Sequence, residues 1–403
     1  MAHNGYIGVD NNAHLIDIMY IGVNGIARKI KKAYIGVNGI ARLWYEYRMR
    51  AVEFKEYSGS GKKRYQLQGS ARAGDYAIFA GGKIISGSGN VGTESTSDIV
   101  EAFSRTMTKV SAPYLTWEKN DGVGLTIGNN AFFAGGWNNR GKSGDEVTMY
   151  TPSLTKSFAD SLYVQCGNQL TTKAGDYGII AGGWRTLLFD STYFKIAYAW
   201  SSSGTSQNIE PLKSVTQCGA RSAYVGGKGL IIRYDTNTTA EVYNEALTQS
   251  TFNAGVISNP GIYVASASNS DYAMVYSMSN GYTYLINPSL TITSINTNLG
   301  SGDSGIIKKY AQANYLAKKT KRTPNGSFIV YGMKDGSIPQ YIILDGKKGT
   351  IIQYSGFPSS VVSDSERECV GSVNFDDIVV MYNGYTGKPI FYKPTDCLLY
   401  TSD

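Results

Sequence analysis

Histidine is nearly missing from this sequence: only His3 and His14 occur, both near the start. A Ser-His-Asp triad, or a metal centre built on imidazole, has no material in the rest of the chain. Cysteine is also sparse. Cys166, Cys218, Cys369 and Cys397 form no Cys-x-x-Cys pair and keep no regular spacing, so they read as buried free thiols. No run of about 18 apolar residues exists, and no membrane span is expected. The start lacks a basic region followed by an apolar run, so no secretory signal is read and synthesis in a reducing cytosol is expected. No cofactor is expected.

Charge of one sign is not concentrated either. The formal balance is +7, but the basic clusters (KIKK at 29–32, KKR at 62–64, KK at 308–309, KKTKR at 318–322) are short and far apart. They read as solvated loops, and no nucleic-acid partner is expected. An anionic cell envelope is the polyanion such a surface would otherwise suit.

What the chain does have is glycine, 47 residues, and tyrosine, 31, against only 10 prolines. Glycine that frequent among β-branched and aromatic residues predicts short strands joined by tight turns. The start repeats at a period of 14: YIGVDNNAHLIDIM, YIGVNGIARKIKKA and YIGVNGIARLWYEY begin at Tyr6, Tyr20 and Tyr34. Asn24-Gly25 and Asn38-Gly39 sit between apolar runs, where both residues tolerate the positive φ of a tight hairpin turn. Each unit is therefore expected to be strand–turn–strand. A meander this small buries too little to stand alone, so residues 1–47 are read as an anchor docking on something larger. Tyr20, Asn24, Gly25, Tyr34, Asn38 and Gly39 are its candidate assembly residues. Capping of the large domain is the plainer alternative.

Residues 48–403 repeat at a longer period. An apolar strand ending in Gly-Gly recurs as AGDYAIFAGG, GNNAFFAGG, AGDYGIIAGG and GARSAYVGG, the first glycines being Gly81, Gly135, Gly182 and Gly226. A second landmark, FSRTMT, YTPSLT, YNEALT and INPSLT, keeps step with it as a hairpin turn. Fainter copies follow as GIYVASAS, SFIVYGMKDG and DIVVMYNG. The six intervals from Gly81 to Met381 average about 50 residues, the kelch-like range of four strands per unit. One such sheet cannot cover both its faces, so neighbours must stack radially into an all-β propeller, of seven blades or else six. The Gly-Gly pairs are expected to meet crowding near the central channel. A strand from 48–68 beside the C-terminal run 389–399 is expected to close the ring.

The paired YIGVNGIARK/YIGVNGIARLWY units, followed by GDYAIFAGG and Y-x-x-SLT blades, resemble phage and prophage tail-region proteins of Gram-positive bacteria. The likeness is specific in the anchor and the first four blades and weak after about Gly300. It implies a virion component of the tail tip, baseplate or fibre. Residues 1–47 would be held by other tail proteins, and the propeller would be shown to a host-surface glycan or protein. A trimer follows from that analogy alone.

No enzyme is expected. The S-x-D-x-G-x-T-W box of sialidase-type propellers is missing, and neither histidine lies where a copper-binding propeller needs it. Asp145, Glu146, Asp190 and Asp235 supply carboxylates, but nothing marks a glycosidase pair. The candidate ligand-binding residues are Trp137, Asn138, Asn139, Arg140, Trp184 and Arg185. They leave strands just after Gly-Gly, where aromatic rings beside amide and guanidinium groups suit sugar stacking and hydroxyl recognition. The alternative is that both tryptophans fill gaps between blades. Trp117 and Trp200 read as structural. Two rival functions stay open: a propeller serving only protein–protein contacts within the virion, and a glycan-cleaving enzyme on the same scaffold.

Overall fold

Gly74, Gly128, Gly175 and Gly226 each reverse the chain at φ between +53° and +56°, as first residues of two-residue hairpin loops. A side chain is disfavoured at that φ, so glycine fixes the register of the strand pair. The computed structural model describes the backbone of every strand given below. Side chains are described over 69–84, 95–138, 144–185, 192–213, 222–232, 239–257, 272–275, 282–296 and 371–382, with Arg64, Pro389 and Phe391, and without 168, 256, 376 and 377.

Among the described residues the chain is all-β, and its main body is a series of four-stranded antiparallel sheets. Sheet one comprises Gly69–Ala73, Tyr76–Ala80, Val100–Ser104 and Lys109–Val110. Sheet two comprises Val123–Ile127, Asn130–Ala134, Val147–Tyr150 and Lys156–Ala159. Sheet three comprises Leu170–Ala174, Tyr177–Ala181, Ala197–Trp200 and Ser206–Asn208. Sheet four runs through Arg221–Val225, Lys228–Ile232, Thr239–Tyr243 and Gln249–Asn253. Sheet five takes Val264–Ser268, Ala273–Ser277, Tyr282–Ile286 and Ile292–Asn296. Sheet six takes Gln312–Leu316, Ser327–Lys334, Ile338–Asp345 and Thr350–Gly356. Sheet seven takes Cys369–Asn374, Val379–Asn383, Lys388–Asp396 and then, from the other end of the chain, Met49–Glu56. The first strand of each sheet touches the first strand of the next, and that of sheet seven touches that of sheet one. This closes a ring. The expected closing strand is therefore present, paired antiparallel with Lys388–Asp396 from Ile390 opposite Glu56 to Asp396 opposite Met49.

Two landmarks were out of phase. Gly226-Gly227 forms the turn between the first two strands of sheet four, matching Gly74-Asp75 and not Gly81-Gly82. GIYVASAS likewise runs into a first strand, Val264–Ser268. Sheets one to three each carry a glycine turn after the first strand and a Gly-Gly after the second, whereas sheet four carries its Gly-Gly after the first strand, Arg221–Val225, whose Ala-Tyr-Val resembles the apolar strands before the other pairs.

The second landmark is the turn between third and fourth strands. At Ser104, Thr151, Asn244 and Asn287 a side-chain oxygen accepts the N–H of the threonine four residues on, at 2.9 to 3.2 Å. The residue before that threonine, Met107, Leu154, Leu247 or Leu290, holds φ between +60° and +66°. Glycine would suit that conformation better. The larger side chains are kept because each packs on a hydrophobic cluster between sheets. Sheet three has Gly204 there, facing Ala159 of sheet two closely.

Those clusters are shared by neighbouring sheets. Ile78, Ala102, Phe133 and Tyr150 join sheets one and two; Leu125, Phe132, Ile180 and Trp200 join two and three. Polar staples repeat between them. Tyr150 Oη, Trp200 Nε1 and Tyr243 Oη donate to the carbonyls of Pro113, Asp160 and Glu210, each on the linker entering that sheet, at 2.7 to 3.1 Å. Trp200 is thus structural.

At the closure Arg64 corrects the view of the KKR cluster as a solvated loop. It is fully buried, and donates to Gly81 O, Ile99 O and Glu101 Oε2 at 2.7, 2.8 and 2.6 Å. Tyr382 of sheet seven donates to the same carboxylate oxygen at 2.7 Å, and Lys109 to Oε1 at 2.7 Å. Burial raises the Glu101 carboxyl, but the Arg64 charge with the Lys109 and Tyr382 hydrogen bonds outweighs it and holds the group below its usual range. Before Met49 three strand pairs are described, Tyr6–Val9 with Asn12–Leu15, Tyr20–Val23 with Ile26–Lys29, and Lys32–Val37 with Ile40–Glu46.

Candidate functional site

The second strands of sheets two and three end in Gly135-Gly136 and Gly182-Gly183, all four at positive φ. A Cβ on Gly135 would strike the Cys166 carbonyl and the Gln169 side chain. The crowding that needs glycine is thus the linker into the next sheet, not the channel. Gly136 N–H donates to Cys166 O at 3.2 Å, and Gly82 of sheet one does the same to Lys119 O at 2.7 Å.

The residue after each pair is the tryptophan. Trp137 exchanges both backbone hydrogen bonds with Asn120, and Trp184 does so with Gly167. Each linker is thereby gripped by the glycine pair of one sheet and the tryptophan of the next. Gly167 has no Cβ because the Trp137 indole occupies that space. The result brings together two rings that are 47 residues apart in sequence: Trp137 and Trp184 have centroids 5.2 Å apart at 48°. Tyr193, opposite Trp184 in the hairpin Trp184–Leu187 with Asp190–Tyr193, extends the row at 6.4 Å and is exposed. Both tryptophans are half-buried, so they fill a gap between sheets and still present an edge to solvent. Arg185 lies over the Phe194 ring at 5.6 Å. Trp184 Nε1 and Arg185 Nε are buried without an acceptor among the described residues. Asn138 is half-buried beside Trp137; Asn139 and Arg140 lie outside the described residues. So do Asn24, Gly25, Asn38 and Gly39, while Tyr20 and Tyr34 stand on hairpin strands whose side chains are not described.

The surrounding polar groups are committed elsewhere. Lys119, almost wholly buried, faces Glu146 Oε1 at 3.6 Å and the Trp117 ring at 4.9 Å, and burial pushes its ammonium below the ordinary lysine range. Thr148 Oγ1 donates to that same Glu146 oxygen at 2.9 Å. Glu146 is therefore paired with Lys119 and Thr148. Asp145 accepts the Leu162 N–H through its carbonyl. The Asp190 side chain and Asp235 lie outside the described residues. Cys166 is a buried free thiol that burial drives up to about 12, against the Gln169 hydrogen bond. Cys218 and Cys397, and the Cys369 side chain, lie outside the described residues.

Two aromatic groups were missed by sequence reasoning. Tyr193 was findable, since it faces Trp184 across a short hairpin. Tyr163, 67% exposed and stacked on buried Tyr198 at 5.3 Å, carries no signal, because its setting depends on the next sheet.

No family model and no curated protein matches the chain. Among solved structures, a streptogramin B lyase aligns with a TM-score of 0.54 at 10% identity, covering 86% of this chain and 98% of its own. A catalytically inactive histidine-to-alanine variant of virginiamycin B lyase from Staphylococcus aureus, solved with quinupristin, aligns with a TM-score of 0.54 at 9% identity, over 85% of this chain and 100% of its own. Among the described residues no helix is long and apolar enough to cross a membrane. The likeness shows a β-propeller-like fold.

Proposed function

We propose that this chain is a binding component of a phage tail that holds a host-surface glycan on the Trp137–Trp184–Tyr193 row of a kelch-like propeller. Each of the seven four-stranded sheets is one blade, and residues 1–47 attach the disc to other tail proteins in the virion. The observation that carries the binding reading is the row itself: rings from two neighbouring sheets, partly open to solvent. Such rings stack on the apolar faces of sugars.

Fold likeness to lyases invites an enzymatic reading, and two facts weigh against it. Both histidines precede residue 15, and Glu146 is tied to Lys119. The test is a bacterial-glycan array probed with the full chain and with Trp137→Ala/Trp184→Ala. Truncating a central tryptophan removes about 2 kcal/mol or more, so the double variant should bind at least about thirtyfold more weakly. Equal binding by the variant would leave the purely structural reading. New saccharide products would establish cleavage. Virions carrying a chain deleted for 1–47 should lack the protein; its retention would remove the anchor assignment.

A further inference from the structure

The linker from sheet two into sheet three carries an aromatic ring that the row does not include. Its course is pinned twice. Leu162 N–H donates to Asp145 O at 2.7 Å, and the Cys166 carbonyl accepts the Gly136 N–H at 3.2 Å. Between these anchors Tyr163 and Gln165 are exposed, while Leu162 and Cys166 are packed away. Tyr163 is 67% exposed, yet its ring has a firm backing: it stacks at 5.3 Å and 30° on Tyr198, which is buried. Tyr198 in turn meets the fully buried Trp200 edge-on at 5.7 Å. The Trp200 indole donates to Asp160 O, at the start of the same linker, at 3.1 Å. An exposed ring is thus held in place by rings reaching out from the core.

This ring and the row belong to one seam. Tyr198 and Leu162 lie in the hydrophobic cluster shared by sheets two and three, and Trp184 reaches Trp137 across the same two sheets. Gly167, further along the linker, fits against the Trp137 indole. Tyr163 and Gly167 are four steps apart, a span of at most about 14 Å. Between them in the chain stands Gln165, whose exposed amide can both donate and accept. An acyl chain or an apolar helix would need a continuous apolar surface, which Gln165 interrupts. Rings repeated along one seam with an amide between them suit a ligand that repeats itself. Successive sugars offer an apolar face to each ring and hydroxyls to the amide.

We propose that the seam between sheets two and three binds an extended, linear saccharide chain, with Tyr163 as a second stacking platform beyond the Trp137–Trp184–Tyr193 row. The inference rests on the glycan reading of that row and adds the length of the ligand. The probe is an array of linear bacterial-wall glycans, peptidoglycan strands among them, each displayed at two and at six sugars. The full chain should bind six-sugar members about tenfold more tightly than their two-sugar counterparts. Tyr163→Ala should bring six-sugar binding down to the wild-type two-sugar level, and Tyr163→Phe, which keeps the ring, should keep the preference. Should Tyr163→Ala fail to fold, nitration of the native chain decides. Six-sugar strands at ten times their dissociation constant should slow Tyr163 modification about tenfold, and two-sugar strands should not. Equal binding at both lengths, a preference kept by Tyr163→Ala, or Tyr163 left unprotected would overturn the extended chain and leave the glycan reading of the row standing. Binding at neither length would remove that reading itself.

Discussion

Replacing Glu101 with glutamine keeps the shape of the side chain and removes only its charge, at the point where the first and last sheets meet. Arg64 is 0% exposed and the Glu101 side chain 3%, so the variant leaves a guanidinium in the interior without its counter-charge. Breaking a buried pair in this way costs about 3 to 5 kcal/mol. The lower end applies, because Arg64 keeps the carbonyls of Gly81 and Ile99. Lys109, 39% exposed, can turn to solvent and adds little. The assay is urea unfolding of both proteins as a function of pH. The folded Glu101 carboxyl lies below its ordinary 4.5, so its contribution is fully present above that pH and is lost as pH falls through the folded value. The gap between wild type and Glu101→Gln should therefore be about 3 kcal/mol at neutral pH and shrink below pH 4.5. A gap under about 0.5 kcal/mol at neutral pH, the size of an ordinary surface change, would refute the reasoning. So would a gap that persists unchanged in acid.

Three further outcomes follow from the same geometry. Leu154→Gly relieves a left-handed backbone by about 1 kcal/mol but removes a buried side chain of about 2 to 3 kcal/mol; urea midpoints should show net loss, and a stabilised variant would contradict the packing argument. Gly135→Ala meets both a positive φ and the Cys166 carbonyl, so it should lose more than about 1 kcal/mol in the same assay. Cys166 should resist a thiol reagent in the native protein at pH 8 and react once urea unfolds it, since burial holds its pKa up at about 12.

Much of the fold was legible because glycine turns and the Y-x-x-SLT landmark are local features that recur. Phase was harder to read: Gly226-Gly227 and Gly81-Gly82 follow similar apolar strands, and only pairing tells one turn from the other. The positive φ at Leu154 was not legible, because leucine there is stabilised by contacts with a neighbouring sheet. Trp137 and Trp184 stood out in the sequence through the glycines before them. Their contact did not, since it depends on how two linkers return to the ring. Arg64 was the deepest miss. A basic triplet between polar residues has the composition of a solvated loop, and its burial comes from partners 37 and 318 residues away, Glu101 and Tyr382.

The strand Met49–Glu56 completes sheet seven from the other end of the chain and so ties the two ends together across the ring. Thermal unfolding of chains beginning at residue 48 and at residue 57 tests this directly. The first should melt in one cooperative transition near that of the full chain. The second, lacking the partner of Lys388–Asp396, should melt lower and over a broader range. Identical melts for the two would contradict the ring.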